Sequence, residues 1–183
     1  TLFAFNPQNL STNHKPNIQH MTDNKPLLHS LKRGLTSYIS YLAACSMSEV
    51  YSEYLLYEPT LRILASKTDR VCCEVPCQEL SNDKGDKKRI DFVAYRNGTA
   101  FALELKWARN AHTLNTIADV EKLNWFKYDK PKSKELQNAD GYLLVFGKQQ
   151  PLEAVKIQKA KEVGKPVFLP LGKTNYGCRC WTI

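Results

Sequence analysis

With 183 residues, the chain is long enough for one domain with a sizeable core and too short for two comfortable ones. The excess of 26 Lys and Arg over 18 Asp and Glu gives a net charge of +8, which attracts polyanions without identifying one. No apolar run approaches the roughly 18 residues that a membrane span needs, so we expect a soluble protein without a membrane partner.

The six cysteines favour reduced thiols and a cytoplasmic location. The chain does not begin with a charged and then apolar signal segment, and a domain of this size does not need disulfide bonds to fold. Cys72, Cys73 and Cys77 lie close together in sequence, as do Cys178 and Cys180, but neither group has the paired C-x-x-C spacing of common zinc sites. We therefore interpret them as small apolar side chains, with a structural zinc as the minor alternative.

The amino-terminal residues 1–25 are rich in Asn, Thr, Pro and His and have no apolar period, which predicts a leader or an appended extension without regular structure. Residues 26–183 are expected to form a single domain. Apolar residues recur every three or four positions over 26–45, which predicts an amphipathic helix. A second helix should follow, with Pro59 either kinking it or opening a new helical segment. This second helix carries three acidic residues, Glu49, Glu53 and Glu58.

The centre of the chain carries the clearest strand signals. Residues 70–76 form a short β-prone run, and a polar, lysine-rich loop follows over 81–88. Two further β-prone runs, 89–96 and 99–107, flank Asn97-Gly98, and Asn-Gly between such runs is a strong hairpin signal. Both runs are apolar on both faces, so the hairpin should lie in a sheet that helices cover on both sides.

The remaining chain alternates between helix and strand. The patterns predict a helix over 112–128, a buried strand over 141–147, a helix over 152–163 and a last strand over 166–170, followed by an irregular tail. Helices first, then three strands, then alternating helix and strand predict an α/β fold with a three-layer arrangement and a mixed central sheet.

A tight turn at Asn97-Gly98 would bring Asp91 opposite Glu104 on the neighbouring strand. Opposed Cβ atoms in such a pair are about 4.5 to 5.5 Å apart, and two carboxylates at that distance repel each other. A proton or a cation must offset this repulsion. Lys106 projects from the same face as Glu104, because side chains alternate along a strand. Two hard oxygen donors on a rigid scaffold suit Mg²⁺ or Mn²⁺.

These residues also resemble a known family. Asp91, followed thirteen positions later by Glu104-Leu105-Lys106 within apolar strands, resembles the D-(spacer)-E-x-K core of the PD-(D/E)xK nuclease superfamily, whose fold is restriction-endonuclease-like. The proline of the family name is absent, since Ile90 precedes Asp91. The resemblance covers about residues 48–147.

The resemblance implies roles for individual residues. Asp91 and Glu104 would bind the divalent metal, helped by the carbonyl group of Leu105, and Lys106 would serve catalysis. Many members also place a glutamate on the helix before the first strand, and Glu53 is the best match here. Glu49 and Glu58 remain the alternatives to it.

Basic residues lie at both ends of the predicted hairpin. Four are on the loop that enters the Asp91 strand and one leaves the Glu104 strand, so we expect them to contact phosphates: Lys84, Lys87, Lys88, Arg89 and Arg109. The sequence thus predicts a Mg²⁺- or Mn²⁺-dependent endonuclease that hydrolyses DNA. The alternatives are an RNA-cleaving or toxin nuclease with the same site, and a catalytically inactive nucleic-acid-binding module. A homodimer would suit this class of enzyme.

Overall fold

The computed structural model describes residues 23–47, 52–110, 114–129, 139–171 and 174–183. Residues 1–22 of the predicted leader, and Glu49, lie outside this described part. Within it the chain forms a seven-stranded mixed sheet with helices packed against it. The predicted α/β class with a mixed sheet is confirmed.

The helices are α1 (Lys25–Ala44), α2 (Tyr57–Ala65), α3 (Ile117–Asn124) and α4 (Gln149–Glu153), with a 3₁₀ turn at Tyr54–Leu56 and a π-helical turn at Trp125–Asp129. The strands are β1 (Arg70–Ser81), β2 (Lys87–Arg96), β3 (Thr99–Ala108), β4 (Asp140–Lys148), β5 (Lys161–Glu162), β6 (Val167–Leu171) and β7 (Thr174–Thr182). No helix in the described ranges has both the length and the apolar character needed to cross a bilayer.

The strand order is β1-β2-β3-β4-β7-β5, and β6 also pairs with β7. Strands β3 and β4 are parallel, with α3 in the connection between them, and the other pairs are antiparallel. Helix α1 packs on β6 and β7, whereas α3 packs on β2, β3 and β4. Two separate apolar clusters result, one for each face of the sheet.

The first helix follows from its apolar period. Leu27, Leu31, Leu35 and Ile39 are all buried against the sheet, as the spacing predicted. Pro59 lies in the first turn of α2, where the missing N–H of proline breaks no helical hydrogen bond. Of the two outcomes predicted for Pro59, the opening of a new helical segment is confirmed.

The central hairpin has the predicted register. Its Cα pairs run from Arg96 opposite Thr99 to Phe92 opposite Leu103. Both residues of the Asn97-Gly98 turn have left-handed backbones, with φ of 52° and 74°. This geometry matches a two-residue hairpin turn and explains the preference for Asn followed by Gly.

The predicted helix over 152–163 is wrong. Helix α4 ends at Glu153, and the chain then turns before the short strand β5. The guanidinium of Arg179 explains this end, because its Nη1 atom donates to the carbonyl oxygens of Leu152, Glu153 and Val155 at 3.0, 3.1 and 3.0 Å. Carbonyls bound to Arg179 do not continue a helical ladder.

The predicted irregular tail is also wrong, because it forms strand β7. This strand lies inside the sheet and pairs with β4, β5 and β6. Cys178 and Cys180 on β7 are fully buried in the core, as expected for small apolar side chains. All six cysteines of the chain carry free thiols.

Candidate active site

Two charged side chains of β3 face helix α3. Glu104 and Lys106 alternate along the strand, so both project to the same side, and Glu104 is only 1% exposed. Asp119 and Lys122 are three positions apart on α3 and therefore share one face of that helix. The β3 and α3 pairs meet in the layer between sheet and helix.

The four residues and Glu53 form a chain of alternating charges, which we call the charge network. Lys122 Nζ is 2.7 Å from Glu104 Oε2 and 3.2 Å from Asp119 Oδ1. Lys106 Nζ is 3.3 Å from Asp119 Oδ2 and 3.7 Å from Glu53 Oε1. Asp119 therefore links the two ammonium groups, and the network ends in a carboxylate on each side.

Asp91 binds the backbone of β3. Its Oδ2 atom accepts a hydrogen bond from Leu105 N at 2.7 Å. Phe92 and Leu103 are paired across the two strands, and Asp91 and Glu104 are the next residues along each strand. The negative charge of Asp91 contributes to the raised pKa of Glu104. The two acids are therefore close enough to interact electrostatically, and Asp91 is fixed to the backbone of Leu105, the residue that follows Glu104.

A tyrosine completes the surroundings of Asp91. The Tyr57 hydroxyl, on α2, hydrogen-bonds Asp91 Oδ1 and lies 2.9 Å from Glu74 Oε1. The Tyr57 ring packs at 5.0 Å between centroids on Phe92. Burial, followed by the nearby carboxylates, raises the pKa of Tyr57, so the hydroxyl keeps its proton and acts as a donor. Its single proton can serve only one of the two carboxylates at a time.

Burial of the two acids opposes their ionisation. For Glu104, burial and then the charge of Asp91 raise the pKa to about 9, although Lys122 acts in the opposite direction. Burial also raises the pKa of Asp91, despite the hydrogen bonds from Leu105 N and Tyr57. The Oε1 atom of Glu104 is buried and has no hydrogen-bond partner among the described residues. A buried oxygen without a partner is costly unless a proton or a ligand satisfies it.

The two lysines keep their charge. Burial lowers the pKa of Lys106, but Asp119 and Glu53 outweigh this effect and leave the pKa above its ordinary value. Burial likewise lowers the pKa of Lys122, and Glu104 and Asp119 outweigh it. Both side chains are therefore ammonium groups at neutral pH, which suits them to bind anions and not to accept protons.

The structure distinguishes two of the three candidate glutamates. Glu53 accepts a hydrogen bond from Trp107 N at 3.1 Å and lies beside Lys106, so it reaches the site. Glu58 is exposed and pairs with Arg62 one turn along α2. Of these two glutamates, the structure therefore brings Glu53 to Lys106 and leaves Glu58 on the surface.

The predicted phosphate-binding residues lie around the hairpin. Lys84, Lys87, Arg89 and Arg109 are exposed. Lys88 is partly buried and forms an ion pair with Glu121 of α3 at 2.5 Å. Four of the five cations are therefore accessible to a polyanion, and their contact with phosphates stays a prediction.

Tyr57, Asp119 and Lys122 are site residues that the sequence interpretation missed. The sequence did contain a signal for Asp119 and Lys122, because charged residues three positions apart share one helix face. Asp119 is also four positions before the buried Leu123, so this face is turned toward the core. Tyr57 looked like one more apolar position of its helix. Only the tertiary structure, in which the Tyr57 side chain reaches Asp91 and Phe92 of β2, reveals its hydroxyl as a partner of Asp91.

The donor set fits a hard divalent cation. The carboxylates of Glu53, Asp91, Glu104 and Asp119 face the ammonium groups of Lys106 and Lys122, which leaves two negative charges when all are ionised. Carboxylate oxygens are the ligands that Mg²⁺ and Mn²⁺ prefer. In the described ranges, however, no three Asp, Glu, His or Cys side chains stand close enough to form a ready-made metal cage.

No protein-family model matches the chain, and neither a curated protein nor a solved structure matches it significantly. Membership of the PD-(D/E)xK superfamily therefore stays a prediction that depends on the geometry of this site.

Proposed function

We propose that the protein is a Mg²⁺-dependent endonuclease of the PD-(D/E)xK type that hydrolyses DNA phosphodiester bonds. The observation that carries the proposal is the buried Glu104 carboxylate, whose Oε1 atom has no partner in the described part of the chain and whose neighbours include Asp91 and Lys122. Burying such a group without a ligand is unfavourable, and strongly perturbed acids are concentrated at functional sites.

The order of elements supports a restriction-endonuclease-like core. Helices α1 and α2 precede the antiparallel meander β1 to β3, and α3 then connects β3 to the parallel strand β4. Asp91 and the Glu104-Leu105-Lys106 segment lie on the two strands at the centre of this unit. A central pair of strands is a rigid scaffold for groups that must keep a fixed geometry.

Asp91, Glu104 and the carbonyl of Leu105 would hold Mg²⁺ or Mn²⁺. When bound, the cation would polarise a phosphate oxygen and make a water molecule more acidic. The role proposed for Leu105 is supported by its backbone N–H, which donates a hydrogen bond to Asp91 Oδ2. This bond holds the peptide groups of Leu105 close to Asp91.

Lys106 would orient the attacking water and stabilise the charge that develops on the phosphate. Its raised pKa keeps it protonated, so it serves as a donor and not as a general base. Glu53 and Asp119 hold its ammonium group from two sides. Glu53 is therefore a positioning residue for Lys106 and a candidate outer ligand of the cation.

The substrate would reach the site along the basic rim of the hairpin. The net charge of +8 and the exposed cations Lys84, Lys87, Arg89 and Arg109 favour a polyanion. Neutralised phosphates would supply affinity that does not depend on base sequence.

Cleavage assays test this proposal directly. Supercoiled plasmid, single-stranded DNA and RNA are each incubated with the protein and Mg²⁺ or Mn²⁺, and with EDTA as the metal-free control. We expect DNA cleavage that EDTA stops and that Asp91→Ala and Lys106→Ala abolish. Lys156→Ala, which alters an exposed lysine outside the charge network, should cleave like the wild type.

The other outcomes are also informative. Cleavage that survives both substitutions would remove the assignment of the site. Cleavage of RNA alone would replace the substrate, because the metal chemistry does not require deoxyribose. Binding of nucleic acid without any cleavage would favour an inactive binding module.

A further inference from the structure

The ammonium group of Lys122 occupies a position beside Glu104 that a bound metal cation would also need. Its ammonium group is 2.7 Å from Glu104 Oε2, and its side chain is only 12% exposed. Glu104 belongs to β3 and Lys122 to α3, so the contact crosses from the sheet to the helical layer. The D-(spacer)-E-x-K pattern contains one lysine, which Lys106 matches, and does not include Lys122.

We propose that Lys122 is a built-in counter-ion that compensates the charge of Glu104 in the metal-free site and that a divalent cation must displace from Glu104. This inference rests on the proposed function, because it takes Glu104 to be a metal ligand. A divalent cation and an ammonium group repel each other strongly in a poorly solvated site. Both cannot hold the same carboxylate at full strength, so loading of the cation requires Lys122 to leave.

Asp119 gives the displaced ammonium another partner. Asp119 Oδ1 is 3.2 Å from Lys122 Nζ, and both residues are on α3. Lys122 can therefore release Glu104 without losing all of its charge compensation. Asp119 Oδ2 at the same time lies 3.3 Å from Lys106 Nζ, so the lysine proposed for catalysis stays anchored.

The consequence is a site that is stable without metal and binds metal more weakly than its acids alone would. In metal-free protein, Lys122 offsets the repulsion between Glu104 and Asp91. The same charge opposes entry of the cation. The ammonium group repels a divalent ion twice as strongly as it repels a proton at the same position. Removing Lys122 should therefore increase the affinity of Glu104 for the metal ion more than its affinity for a competing proton.

Mn²⁺ binding, followed by the paramagnetic resonance signal of the free ion, tests the proposal. Lys122→Met should bind Mn²⁺ about tenfold more tightly than the wild type, a change that corresponds to roughly 1.4 kcal/mol. Lys156→Met has the same change in net charge at an exposed position and should leave the affinity unchanged. An unchanged or weaker affinity in folded Lys122→Met, with its circular dichroism spectrum intact, would overturn the proposal.

A measurement on the wild type avoids the risk that Lys122→Met does not fold. Lysines are acetylated briefly with an amine-reactive ester, with and without saturating Mg²⁺, and the labelled positions are read by mass spectrometry. Labelling of Lys122 should rise several-fold with Mg²⁺. Lys32, which is buried and donates to the carbonyls of Val163 and Lys165, is the internal control and should not change.

The two proposals fail differently. If the wild type binds Mn²⁺, Asp91→Ala abolishes the binding, and Lys122 labelling stays constant, the counter-ion proposal is wrong and the metal site stands. If no binding depends on Asp91, the metal site itself is wrong and the counter-ion proposal falls with it.

Discussion

Two clusters of buried or partly buried charge in this molecule differ in how completely their members are satisfied. Arg179 forms a bidentate pair with Glu162, with both contacts at 2.8 Å, and also donates to three main-chain carbonyls. In the charge network, by contrast, Glu104 Oε1 has no hydrogen-bond partner in the described ranges. One cluster is complete, and the other lacks a partner.

The two clusters shift their acids in opposite directions. The hydrogen bond from Arg179 lowers the pKa of Glu162, whereas burial and Asp91 raise the pKa of Glu104. A carboxylate with a lowered pKa is stabilised by its surroundings, and one with a raised pKa is stored at a cost. Arg179 therefore stabilises the fold, whereas the incompletely satisfied charge network is consistent with the metal site that we propose.

We expect the largest effect at Glu104, where a substitution should abolish most of the activity and leave the stability nearly unchanged. Glu104→Gln should slow DNA cleavage at least about a thousandfold, because it removes a charge that holds the cation. The amide oxygen can still accept the hydrogen bond from Lys122, so the melting temperature should stay within a few degrees of the wild type. Single-turnover cleavage and calorimetry measure the two quantities. A wild-type cleavage rate in Glu104→Gln would contradict the proposed role of Glu104 as a metal ligand.

Arg179→Met should have the converse effect. It leaves Glu162 and three carbonyls without their donor, and leaving partly buried acceptors unsatisfied costs about 1 to 3 kcal/mol in the free energy of unfolding. Urea denaturation measures the loss. Cleavage per folded molecule should be unchanged, since Arg179 lies outside the charge network. A stable variant with impaired cleavage would show that the two clusters are not separate in function.

Glu53 and Glu58 offer a matched pair for a smaller effect. Glu53→Gln should slow cleavage about tenfold to a hundredfold, because Lys106 loses one of its two anchoring carboxylates. Glu58→Gln changes an exposed residue of the neighbouring helix and should cleave normally. Kinetics of both variants on one substrate check the expectation. Equal rates for the two variants would remove Glu53 from the site.

The smallest effect should come from the rim. Arg109→Ala should weaken DNA binding a few-fold and lower the slope of log affinity against log salt by about 1, as for one lost phosphate contact. Binding titrations without metal at several salt concentrations measure this slope. Lys156→Ala is the matched control, and an identical slope change in that variant would mean that Arg109 has no special role.

The hairpin and the positions of its three candidate site residues could be predicted because the relevant contacts are local. Asn97-Gly98 sets the turn, the turn sets the register, and alternation then puts Glu104 and Lys106 on one face. Every step involves residues on two adjacent strands. No distant part of the chain has to be known.

Strand β7 and the end of α4 could not be predicted for the opposite reason. The pattern around Cys178 and Arg179 mixes small and charged residues, which reads as irregular in isolation. Its strand character depends on pairing with β4 and β6. The end of α4 depends on a side chain more than twenty positions away along the chain.

The sequence by itself determined the α/β class, the central hairpin and the approach of Asp91 to Glu104, because turn chemistry and strand alternation act over a few residues. Only the tertiary structure decided which groups face these acids. Tyr57, Asp119 and Lys122 reach the site because α2 and α3 pack on particular strands, and helix packing depends on the whole core. Charge compensation in the site is therefore a property of the fold, whereas the acids that require it are evident from the sequence.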